Sequence, residues 1–132
     1  MNQLMNFPAE LILLVFAIIT FLQSGIDKIL DWNGNLSWLK GHFSQSPFKN
    51  IVPILLTIIT TIELVAASLC LIGIVQLINN GSKTIALYGA VTSCITLLML
   101  LFGQRIAKDY VGAQTIVTYL IPTVFLVFLL QS

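Results

Sequence analysis

Charge is what this sequence has least of. Six Lys/Arg and five Asp/Glu make up 8% of 132 residues, against roughly 25% in a soluble domain. So few charges cannot cover a water-facing surface, which excludes a soluble globular enzyme. A net charge of only +1 gives no basic footprint for nucleic acid. There are two cysteines and one histidine, with no C-x-x-C, zinc or heme-ligand pattern and no phosphate-binding glycine loop. No metal site is therefore expected.

What is present instead is apolar. Hydrophobic residues make up 58% of the chain and mean hydropathy is +0.99. Four runs are long enough to cross a hydrocarbon core, which takes about 20 helical residues. They cover 8–29, 52–78, 83–103 and 114–130. Pro8 and Pro53 stand where a helix start tolerates a missing N–H, and Asn79-Asn80-Gly81-Ser82 is a strong turn signal. Backbone groups in lipid must be bonded internally, so the runs are helices. The expectation is an all-α fold, an integral membrane four-helix bundle forming a single domain over 1–132. The first run follows a segment without Lys or Arg and precedes no A-x-A-like site, so it reads as a retained helix rather than a cleaved signal.

The connection from Asp31 to Ile51 has its own pattern. Trp32, Leu36, Leu39 and Phe43 recur at helical spacing, with Asn35 as a candidate cap and Ser46-Pro47 as the stop. A short amphipathic helix holding both tryptophans, Lys40 and His42 suits either the membrane–water boundary or a lid on the bundle. Lys28, Lys40, Lys49, Arg105 and Lys108 all fall on the side of the first and third connections. The bias of basic residues toward the cytoplasm then places both termini outside.

Glu63 stands near the middle of the second span. An ionised group there costs about 2.5–3.5 kcal/mol on the insertion scale, so the carboxyl is either protonated or turned inward to a partner. Lys28 closes the first span on the membrane face where the second begins, and Glu63 lies about 16 Å above that face. Side chains lean toward the N-terminus of their own helix, so in antiparallel neighbours these two converge. Gln23, Ser24 and Asp27 occupy the same half of the first helix, and Gln104, Arg105 and Asp109 approach from the third. The expectation is one polar cluster with Glu63 as its deepest member, acting on a ligand or a proton, with helix–helix glue as the bland alternative. His42 reads as interfacial. Cys70 and Cys94 lie at similar depth and read as core packing, with a disulfide geometrically open. Ala66, Ala67 and Gly73, and Ala86, Gly89, Ala90 and Ser93, mark where the second and third helices approach closely.

These residues resemble the DoxX family of small bacterial four-helix membrane proteins. The resemblance rests on Ser24-Gly25-Ile26-Asp27-Lys28, on the aromatic connection ending in Ser46-Pro47-Phe48, on Glu63-Leu64 with Gly73 beyond it, and on 105–113, RIAKDYVGA. It implies a bacterial inner-membrane location and a redox-associated subunit with a partner subunit. The similar EXPERA group implies small apolar ligands held near intramembrane carboxylates. The leading expectation is therefore a quinone or similar small hydrophobic ligand received at Glu63, Lys28, Arg105, Asp27, Gln23 and Asp109. The alternatives are a binding or transport protein without electron transfer, and a scaffold for a partner enzyme. Glu63→Gln separates them: proton-coupled redox turnover, assayed in membranes, is abolished on the first reading, while scaffolding survives.

Overall fold

The structure, a computed structural model, describes residues 6–131. It is all-helical, with α1 (Pro8–Leu30), α2 (Trp32–His42), α3 (Val52–Asn80), α4 (Thr84–Ile106) and α5 (Tyr110–Gln131). All but α2 are long and apolar enough to cross a membrane, and the fold is a four-helix membrane bundle. The terminal residues Met1 and Ser132, on which the expected orientation bears, lie outside the described residues. Neighbours run antiparallel: α1 packs on α3, α3 on α4 and α4 on α5. The seam between α5 and α1 closes the ring more lightly.

The spans are longer than hydropathy alone indicates, because capping rather than polarity ends them. Gly81 terminates α3 in the left-handed region, at φ 73°, and its N–H reaches the Leu77 carbonyl at 3.0 Å, which suits a residue without Cβ. The last helix starts at Tyr110 rather than at residue 114, since Asp109 Oδ1 accepts the Gly112 N–H at 2.9 Å and so caps it. Lys108, just before, takes φ 62° and lets α4 turn sharply into α5.

Asn35 does not cap α2. The helix begins at Trp32, and the Asn35 side chain donates back to the Asp31 carbonyl at 2.9 Å. The expected face is nonetheless formed: Trp32, Leu36, Leu39 and Phe43 are half-buried, while Ser37, Trp38 and Lys40 are exposed. Ser46 ends the segment by bonding both the Phe43 carbonyl and the Phe48 N–H. This segment therefore packs its apolar side on α1 and α3.

Buried hydroxyls are satisfied within their own helices, as a membrane interior requires. Thr60 donates to the Leu56 carbonyl, Ser93 to Gly89 and Thr96 to Thr92, each at 2.8 Å. The α3–α4 contact depends on missing side chains. A Cβ on Gly73 would stand 2.5 Å from Ala86 Cα, and one on Gly89 would stand 2.8 Å from the Cys70 nitrogen. Neither neighbour can yield, because both are backbone. Cys70 packs into this contact with its Sγ 3.9 Å from Ser93 Oγ. Both cysteines are free thiols, so the disulfide left open by their depths is not formed.

Gly89→Val should lower stability by about 2 kcal/mol or more through overpacking, read as a lower thermal midpoint in mild detergent. Gly41→Ala, with nothing within 4 Å of the added carbon, should stay within about 0.5 kcal/mol of the parent.

Candidate functional site

Glu63 projects from the middle of α3 into the bundle and retains 2% exposure. Its two carboxylate oxygens are treated differently. Oε2 accepts a hydrogen bond from Ser24 Oγ at 2.7 Å. Lys28 Nζ stands 2.9 Å from Oε1 as a direct ion pair, and among the described residues no other donor bonds that oxygen. The ammonium also donates to Ser24 Oγ at 2.6 Å. Charge attraction holds one oxygen and a Lys28–Ser24–Glu63 relay holds the other.

Local sequence explains the geometry. Ser24 and Lys28 are one helical turn apart on α1, so both face α3. The residue between them that meets α3 most closely is Gly25, where a Cβ would lie 2.6 Å from Leu64 Cδ2. The pairs Ser24-Gly25 and Glu63-Leu64 thus interlock: the missing side chain brings the helices near enough for the polar neighbours to bond.

The six residues singled out from sequence divide into three sets. Glu63 and Lys28 meet. Gln23 and Asp27 are exposed on α1 and line a groove of about 440 Å³ together with Ser24, Glu63 and Tyr119. Arg105 and Asp109 do not join them. Arg105 is exposed, with its guanidinium 5.0 Å from the centre of the Tyr110 ring, a cation–π contact. Asp109 is engaged as the cap of α5. Helical register carries reliably along α1 and α3, but the α4–α5 turn redirects both residues.

A second cavity, of about 470 Å³, lies between α3, α4 and the α2 segment. Its walls include Leu55, Ile59, Leu98 and Phe102, with Trp38 and Phe43 along its α2 edge, and it opens outward where Leu98, Phe102 and Trp38 are exposed. Lys28, His42 and Gln104 are its polar points. Sequence reasoning set His42 aside as interfacial. In the structure its Nε2 bonds Gln104 Oε1 at 2.8 Å and lies 3.7 Å from Asp109 Oδ2, while its ring stacks on Trp38 at 4.6 Å. The available signal was the spacing of Trp38 and His42, one turn apart on α2, but their partner 62 residues away left no trace in local pattern. Among the described residues no group of three or more His, Cys, Asp or Glu is placed to hold a metal ion.

No family model, curated protein or solved structure matches the chain.

Removing one member of the buried pair strands the other. Lys28→Met should cost about 3–5 kcal/mol, measured as thermal stability in lipid nanodiscs. The double variant Lys28→Met with Glu63→Leu should recover most of that loss. A double variant no more stable than Lys28→Met would show that the charge on Glu63 was not the source of the cost.

Proposed function

We propose that this protein is a DoxX-type, redox-associated membrane subunit that receives a quinone or similar small hydrophobic molecule in the cavity between α3, α4 and α2. The observation that carries this reading is an apolar chamber of about 470 Å³ with the ammonium of a buried ion pair on its wall. That volume is within the range of small-molecule pockets, whose few polar points orient a mostly apolar ligand. The aromatic cover from Trp38, Phe43 and Phe48 favours a flat ring. Lys28, His42 and Gln104 offer hydrogen bonds to its oxygens.

Reduction of a quinone to a quinol takes up two electrons and two protons. On this reading a partner subunit supplies the electrons. The chain's own residues bind, orient and exchange protons: Lys28 holds the ligand's polar edge, and Glu63, two hydrogen bonds away through Ser24, takes up or releases a proton. The same cavity also suits a carrier that moves the ligand without electron transfer, and the two readings share its contacts.

The membrane is proposed to be a bacterial inner membrane, with both termini outside and α2 on the cytoplasmic side. Support comes from Lys40, Lys49 and Lys108, all exposed and all on the α2 side of the bundle, opposite Lys83.

Binding of decylubiquinone to the protein in lipid nanodiscs tests the proposal. Saturable binding is expected, weakened at least tenfold by Ile59→Trp, which fills the cavity, and unchanged by Ile12→Trp on the exposed outer face of α1. Equal, unsaturable uptake by all three proteins would overturn it.

A further inference from the structure

The two cavities meet the ion pair from opposite sides. Lys28 lines the apolar chamber and Glu63 does not, whereas Glu63 lines the groove between α1, α4 and α5 and Lys28 does not. The groove has a different chemistry from the chamber. Thr20, Gln23, Ser24 and Asp27 all line it, and they follow the i, i+3, i+4, i+7 spacing of one helix face. This is a polar stripe on a helix that is otherwise apolar across a membrane. It rises about 10 Å from Asp27 to Thr20, and Asp27 is one turn from the end of α1 at Leu30. The stripe therefore runs from the membrane face to the depth of Glu63. It also lies on the lightly packed α1–α5 seam, where room remains for water.

The carboxylate supplies the second observation. Glu63 is 2% exposed, and its Oε1 meets the Lys28 ammonium at 2.9 Å with no further donor among the described residues. A carboxylate oxygen has two lone pairs, so one acceptor site on Oε1 is left for water. A buried water needs space and two or more polar partners, and the groove beside Glu63 offers both.

We propose that this groove is a water-filled proton entry, leading from the membrane face at Asp27 past Gln23 to Glu63, and separate from the chamber that takes the hydrophobic ligand. The inference deepens the ligand-site reading above and rests on it for the use made of the proton. A proton from bulk water passes along the groove and binds the Glu63 carboxylate, giving a neutral carboxyl. Lys28 keeps its charge and loses its counter-ion, so its ammonium is freed toward the chamber. The titratable or charged groups facing Glu63 or the groove are Lys28 and Asp27 from α1 and Tyr119 from α5, while α4 presents Leu97 and Leu100. Proton and ligand thus reach the same ion pair without sharing a path.

Labelling of introduced cysteines in the full chain in membrane vesicles tests the route. Thr20→Cys, Gln23→Cys and Ile26→Cys are each treated with a charged methanethiosulfonate, and the modified residue is identified by peptide mass spectrometry, so the native thiols stay in place. Ile26, on the exposed apolar side of α1, reports lipid contact and lies about 9 Å nearer the membrane face than Thr20, so depth alone would make it the faster of the two. Water in the groove predicts that Thr20→Cys and Gln23→Cys react at least tenfold faster than Ile26→Cys. Rates closer to that control overturn the proposal. So does slow reaction at Gln23→Cys, the neighbour of the Ser24 that bonds Glu63, because water would then stop short of the carboxylate. Labelling is read without ligand, and decylubiquinone binding is measured on the unlabelled parent, so loss of the ligand site and loss of the water route are seen separately.

Discussion

A carboxylate in the middle of a membrane helix must find its counter-charge inside the protein, and the packing of α1 on α3 follows from that need. Sixteen Leu, Ile and Val between residues 52 and 78 can carry Glu63 into the bilayer, at about −0.3 to −0.6 kcal/mol each. They do not relieve its charge once there. Lys28 does, from a helix held close because Gly25 leaves space for Leu64. A Cβ at 25 would displace the Leu64 side chain, and a residue larger than the space Leu64 can vacate would part the helices, lengthening the Ser24 bond and the Lys28 contact together. The ion pair and the helix contact are one feature, seen once as electrostatics and once as packing.

The chamber has a packing origin as well. Small residues concentrate in one half of the α3–α4 contact: Ala66, Ala67, Cys70 and Gly73 face Ala86, Gly89, Ala90 and Ser93, all buried. Backbones approach closely there, as small residues permit in membranes. In the other half, Leu55 and Ile59 oppose Leu98 and Phe102, and these bulky side chains line open space rather than filling it. A helix pair tight at one end and wide at the other needs a cover at the wide end. The α2 segment provides it, fastened by the bond from His42 to Gln104.

Much of this was legible from sequence, for definable reasons. The four spans needed only hydropathy and length. The meeting of Lys28 with Glu63 needed helical rise and the tilt of side chains, both of which hold along uninterrupted helices. The tight half of α3–α4 showed in its small residues. What failed lay at helix ends. Arg105 and Asp109 were assigned by depth alone, and a turn that includes a left-handed Lys108 sends one to Tyr110 and the other to the cap of α5. Asn35 was read as a cap by residue type, although the preceding helix runs almost without break into α2, leaving Asp31 as the junction. His42 depended on a contact between distant segments, which local periodicity does not encode.

Stability alone gives little reason for this arrangement. Replacing a buried ion pair by apolar residues of similar size is often neutral or stabilising, and polar contacts between membrane helices average only about 0.6 kcal/mol. Glue between α1 and α3 would need neither a charge nor a cavity beside it. Here the pair stands between an apolar chamber and a polar groove, with its cation on one and its anion on the other. An inert apolar pair at the same place would seal the helices equally well and would make the two spaces indifferent to each other. A charged pair couples them, because neutralising either partner changes what the other presents to its own side.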